Sequence, residues 1–156
     1  MDRIASPVIG VIGGKTAEPD QLLEAEEAGR LISRAGATLA TGGLGGIMEA
    51  ASRGAKSEGG IVLGILPGED RSAANEYVDV AVATGFGIGR NIVLVRTSDA
   101  LLAIDGQYGT LSEIAYALQM GKPVIGIGSW KIDGVVPARN AREAMDIILK
   151  SLGKLK

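Results

Sequence analysis

The chain carries short apolar stretches at residues 7–13, 38–41, 61–66, 77–83, 100–104 and 123–128. Runs such as PVIGVIG and ALLAI show no polar alternation, the pattern of a strand buried on both faces. Between the stretches the apolar residues step by three and four. Ala25, Ala28, Leu31, Ile32 and Ala35 fall on one face in this way. A helix is therefore predicted over residues 19–35, with Pro19 in its first turn and Gly36 as its stop. Further helices are predicted over 47–58, 90–97, 110–121 and 139–152, with a Lys-rich end that frays. Residues 130–137 fit neither pattern.

Strands that alternate with helices throughout predict the α/β class. The expected architecture is a single Rossmann-like domain over residues 1–156. It has a parallel sheet of about six or seven strands, right-handed crossovers and helices on both faces. In such a sheet the loops after the carboxyl ends of the strands form the binding crevice. Glycine is 24 of 156 residues, about twice the usual ~7%. The glycines cluster after strands one, two, four and five, where a ligand is expected. The polar stretch 69–75 reads as the mobile loop.

Composition narrows the chemistry by exclusion. Cysteine and histidine are both absent, so thiol nucleophiles, Ser-His-Asp triads and histidine zinc sites are ruled out. Proton transfer falls to carboxylates, lysine, tyrosine or water. Lys+Arg is 16 against Asp+Glu 18, for a net charge of −2, which leaves no basic field for a long nucleic acid. Aromatics are only 3%, so the core must be aliphatic. The opening MDRIASP lacks a signal-peptide layout and no apolar run reaches about 18 residues, which predicts a cytoplasmic protein with no membrane partner.

The glycine loops separate on closer reading. Gly10 to Thr16 resembles a P-loop but has three residues, not four, between its first glycine and the Gly14-Lys15 pair. No GxGxxG follows strand one, which argues against a dinucleotide site. Residues 42–46 open a helix, and either approach an anion or simply let backbone pack. The sharpest segment is Asp105-Gly106-Gln107-Tyr108-Gly109-Thr110-Leu111-Ser112-Glu113. Gly109 and Thr110 would cradle a phosphate at a helix N-terminus. The same letters also fit a capping box, with Glu113 bonded back to Thr110. Arg90 opens a helix, where the dipole disfavours a cation, so it implies an anionic ligand, a carboxylate partner or a solvated surface position.

Together these motifs resemble the Lonely Guy (LOG) superfamily. Gly42-Gly43-Leu44-Gly45-Gly46-Ile47-Met48 is similar to its GGxxGLM loop, and Arg90, Asp99 and Tyr108 to Glu113 match its arginine, aspartate and PGGxGTxxE motif. That resemblance implies a phosphoribohydrolase that cleaves nucleoside 5'-monophosphates to free base and ribose 5-phosphate, with Arg90 and Glu113 as the catalytic pair. One departure matters. The family's Pro-Gly-Gly is here Asp105-Gly106-Gln107, which puts a negative charge and a long amide beside the phosphate site. The short chain and the residues around Arg90 and Glu113 look more like the sister branch, the molybdenum cofactor carrier proteins. That resemblance implies a binding protein for a phosphorylated pterin. The ligand-binding residues implied are Gly13, Gly14, Gly42, Gly43, Gly45, Gly46, Met48, Gly89, Asn91, Asp105, Gly106, Gln107, Tyr108, Gly109 and Thr110. No metal and no resident cofactor is required, molybdenum cofactor being carried as the ligand. The lysine decarboxylase label attached to the superfamily finds no pyridoxal phosphate signature here. The resemblance also implies a homodimer or homotetramer, and the small-residue helix 47–58 offers a flat apolar face for a partner subunit.

Overall fold

The apolar runs and the periodic segments between them form regular elements very near their predicted bounds. The computed structural model describes residues 6–153. In chain order the elements are β1 (Val8–Gly13), α1 (Pro19–Arg34), β2 (Thr38–Thr41), α2 (Ile47–Ser57), β3 (Val62–Leu66), β4 (Val80–Ala83), α3 (Arg90–Thr97), β5 (Ala100–Ile104), α4 (Tyr108–Gln119), β6 (Val124–Ile127), β7 (Val135–Pro137) and α5 (Ala141–Ser151). Short 3-10 turns fall at Arg71–Ala73 and Gly87–Gly89. The strands form one seven-stranded parallel sheet, ordered β4-β3-β2-β1-β5-β6-β7. This is the expected single α/β domain, Rossmann-like in its layers. The fraying predicted for the Lys-rich end falls on residues 154–156, outside the described residues.

The sheet order has a functional consequence. From β1 the chain adds β2, β3 and β4 on one side, then returns to the other side of β1 for β5, β6 and β7. The loops after β1 and β5 therefore diverge, and a crevice opens between them at the carboxyl edge. Side-chain alternation along the central strands fills two layers. Ile9, Val11, Leu102 and Ile104 join Ala28, Ala51, Met145 and Ile148 beneath α1, α2 and α5. Ile12, Leu101 and Ala103 join Leu94 and Ile114 beneath α3 and α4.

On the first face α1 and α2 lie nearly backbone to backbone. A Cβ at Gly29 would collide with the Ala51 carbonyl, and one at Gly54 with the Glu26 carbonyl. The small-residue face of α2, expected to be left for a partner subunit, is thus taken by α1 of the same chain.

Three other expectations change. Strand four starts at Val80 rather than Tyr77, because Asn75 Oδ1 accepts the Tyr77 N–H (3.0 Å) in a turn and Asp79 Oδ2 accepts the Val62 N–H (2.8 Å). The polar loop 69–75 is anchored, since Asn75 donates from its backbone to Gly43 O and from Nδ2 to Leu44 O, each at 2.9 Å. The ambiguous 130–137 segment ends in the edge strand β7, where Pro137 is tolerated because an edge leaves one side of the backbone unpaired. Among the described residues no helix is long and apolar enough to cross a membrane.

Candidate functional site

A cleft of about 180 Å³ opens at the carboxyl ends of β1 and β5, where the sheet order reverses. Val11 to Lys15 form one wall, Gly42 and Met48 a second, and Arg90 and Asn91 the third. Gln107, Gly109, Thr110 and Glu113 from the start of α4 close it.

The structure corrects the capping-box reading of α4. The helix begins at Tyr108 with Gln107 as its N-cap, and Leu111 N–H is bonded to Gln107 O (2.9 Å). Thr110 is therefore inside the first turn and has no N-cap bond to receive from Glu113. The reciprocal cap bond occurs instead at α1, where Gln21 Oε1 accepts the Glu18 N–H (2.9 Å). The consequence for α4 is that the N–H groups of Tyr108, Gly109 and Thr110 precede its first internal bond and have no acceptor within the helix. Gly106 shapes the entry, for a side chain there would strike Thr110. Asp105, at φ 50, takes the left-handed conformation that aspartate tolerates better than most residues.

Glu113 is drawn inward by the helix period. Thr110, Glu113, Ile114 and Ala117 form the buried stripe of α4, and the first two lie at the cleft end of it. Glu113 is only 7% exposed, and among the described residues nothing donates a hydrogen bond to its carboxyl. Burial pushes that carboxyl up to about 8, and the nearby Arg90 guanidinium offsets only part of the effect. Burial likewise lowers Arg90 from its ordinary value while Glu113 pulls it up, and the guanidinium stays charged. Arg90 is thus neither a solvated surface residue nor one arm of a tight ion pair. It folds back from the start of α3, donates from Nη1 to Ile65 O (3.3 Å) and lies where a side chain at position 42 would be. Asn91 joins α3 to α4 by donating to Ser112 Oγ (3.1 Å). With Glu113 neutral at pH 7, Lys15 and Arg90 make the cleft cationic in a chain of net charge −2.

The raised Glu113 pKa has a testable sign. Between the ordinary value of 4.5 and about 8 the folded protein holds a proton that the unfolded chain has lost. Its stability must fall as pH rises through that window, by up to about 1.4 kcal/mol per unit, and level off above it. Glu113→Gln keeps the shape without the titration. The expected result is that wild type loses stability relative to Glu113→Gln between pH 5 and 8 in paired urea titrations. Parallel curves would mean that the carboxyl titrates normally.

Of the residues singled out from sequence, Gly13, Gly14, Gly42, Met48, Arg90, Asn91, Gln107, Gly109, Thr110 and Glu113 line the one cleft. Gly43, Gly45, Gly46, Gly89, Asp105, Gly106 and Tyr108 lie behind or beside it. Gly43 N–H is bonded to Thr41 Oγ1 (3.0 Å), and Gly46 packs on the backbone of Gly14 and Lys15. Within the 42–46 loop Gly43 and Gly46 are thus packed against the chain, while Gly42 lines the cleft. Asp99 is at the opposite edge, accepting the Val8 N–H (2.8 Å). Lys15 was missed. The failed P-loop count removed it from view, although it is the first cation after the central strand. Among the described residues no cluster of His, Cys, Asp and Glu could hold a metal ion.

Comparison with known proteins agrees with this fold. Residues 6–152 match the model of the SLOG cluster4 family. A stretch of 116 residues is 47% identical to an uncharacterized protein of Archaeoglobus fulgidus, covering 74% of this chain and 76% of that one. The molybdenum cofactor binding protein of Rippkaea orientalis superposes with a TM-score of 0.91 at 35% identity, over 96% of this chain and 99% of that one. The molybdenum cofactor carrier protein of Chlamydomonas reinhardtii gives 0.87 at 32% identity, over 96% and 100%. DNA processing protein A of Streptococcus pneumoniae, at 14% identity and a TM-score of 0.73 over 90% and 61%, shares the fold alone.

Proposed function

The chain belongs to the SLOG cluster4 family, and on that premise we propose that its cleft binds and carries a small phosphorylated ligand, a pterin phosphate such as molybdenum cofactor or a nucleotide-like relative. One observation carries the reading. The unbonded N–H groups at the start of α4, two cations and a buried carboxyl without a protein hydrogen bond converge where the sheet order reverses. Helix N-termini receive phosphate through such N–H groups. Arg90 and Lys15 supply the countercharge. A protonated Glu113 can both donate and accept a hydrogen bond, which suits a ligand hydroxyl. The molybdenum cofactor binding protein of Rippkaea orientalis and the molybdenum cofactor carrier protein of Chlamydomonas reinhardtii support the pterin class.

A second reading, the phosphoribohydrolase, draws on Arg90 and Glu113 sharing the cleft. It needs a charged carboxylate to stabilise an oxocarbenium ion. Burial raises the Glu113 carboxyl and so disfavours that charged form, which leans toward the carrier. Calorimetric titration with nucleoside 5'-monophosphates and their parent nucleosides tests the phosphate. Affinity at least about tenfold higher for the phosphorylated member is expected from one or more charge-assisted hydrogen bonds. Equal affinities would remove phosphate from the reading, and brisk release of free base would promote the hydrolase.

A further inference from the structure

The first cleft is small. Its volume of about 180 Å³ is below the roughly 300–1,000 Å³ of sites that enclose a whole small molecule. It has room for a phosphate and the atoms next to it, and a ring joined to that phosphate can extend beyond it. A second cleft, of about 600 Å³, adjoins it between the loop after β6 and strand β7. Trp130, Lys131 and Asp133 line it, with Val135 and Pro137 of β7. The two clefts share a ridge. Gln107 lines the first, and its carbonyl accepts the Trp130 Nε1–H of the second (3.1 Å). On the same ridge Tyr108, 80% exposed, lies against Trp130 with ring centroids 6.2 Å apart. Ser129 Oγ donates to Asp105 O (2.7 Å) and fixes the base of the ridge.

The aromatic inventory adds weight. The chain has one Trp, three Tyr and one Phe, and none is among the buried core side chains. The sole indole is half-buried, packing against the layer of Leu94, Leu101 and Ile114 while still lining the second cleft. It is held in place by its own N–H and lines a roomy cleft beside a phosphate-sized one. Such a fixed aromatic surface suits stacking by a planar ring.

We infer that the cleft between the β6 loop and β7 is a second binding site, for the planar heteroaromatic ring of the ligand whose phosphate lies at the start of α4. The inference rests on the phosphate reading only for the claim that one ligand spans both clefts. Trp130 offers the stacking surface. Lys131 and Asp133 at the rim offer a donor and an acceptor to the edge of the ring, as purines and pterins require.

Because Trp130 is the only tryptophan, tryptophan fluorescence reports on the surroundings of this one ring. AMP, GMP and adenosine are titrated beside ribose 5-phosphate, which has the phosphate but no ring, and each is also followed by calorimetry. The expected result is saturable quenching by the three purine compounds and none by ribose 5-phosphate, with AMP binding tighter than ribose 5-phosphate. Trp130→Leu should then narrow that affinity ratio by about 5- to 100-fold, the usual range for a lost stacking partner. Absence of saturable quenching by every purine compound overturns the inference, as does an unchanged ratio in Trp130→Leu. Quenching by adenosine with no binding of ribose 5-phosphate leaves the ring site standing and removes the phosphate reading.

Discussion

With aspartate at position 109 the protein is expected to keep its fold and lose its phosphorylated ligand. No atom lies within 4 Å of a Cβ built on Gly109, so the side chain fits. An acid in the first turn of α4 favours the helix by about 0.3–1 kcal/mol, and aspartate is only about a few tenths of a kcal/mol better than glycine in intrinsic helix propensity. For an anion the same carboxylate is repulsive, and it occupies the approach to the N–H groups of Tyr108 to Thr110. Losing two charge-assisted hydrogen bonds at about 1.5–3 kcal/mol each weakens binding at least about 100-fold. Thermal melts should show equal or higher stability, while titration with a nucleoside monophosphate should show little or no heat. An unchanged dissociation constant would take the start of α4 out of the site.

The second large effect is on the fold. Gly54→Val is expected to cost about 3 kcal/mol or more. Its Cβ meets the Glu26 carbonyl of α1 too closely to coexist with it, and backbone cannot yield as a side-chain tip can. To make room α1 must move from α2, which loosens the layer containing Ala25, Ala28, Ala51 and Ala55. For a domain of this size that corresponds to a melting point lower by roughly 6–12 °C. Gly109→Ala, at an open helical position, provides the baseline. A Gly54→Val protein that melts within a degree or two of wild type would show that α1 and α2 slide apart at little cost.

Most of the fold was legible because each central strand is apolar along its whole length. β2, α3 and β5 start and stop where pattern and punctuation place them. Misjudgements cluster where local letters have two meanings. Gly109 looks like loop, yet it is the second residue of α4, because Asp105 and Gly106 together make the turn. β7 is three residues long and carries a proline, too little for any periodicity to register. Arg90 and Glu113 were chosen as residues that could converge, and they share a cleft because β4 is followed by a return to the other side of β1. That return leaves no mark in local sequence, since the same alternation of strands and helices is compatible with several strand orders. Lys15 and the cleft beside Trp130 depend on it too, which is why neither was found. The glycines of α1 and α2 passed as ordinary helical residues, although Gly29 and Gly54 set how closely those helices approach.

The pairing of β1 with β5 also sets a clock on synthesis. β1 emerges from the ribosome early, but its second neighbour follows some 91 residues later, the separation of the Val8 to Asp99 contact between the two strands' amino ends. At about 5–20 residues per second the nascent chain waits roughly 5–20 s with one edge of this central strand uncovered. During that interval it presents a flat apolar edge of the kind that recruits other strands. The start of α4 and Glu113 come after β5, so the cleft itself is assembled only once the sheet has closed around β1.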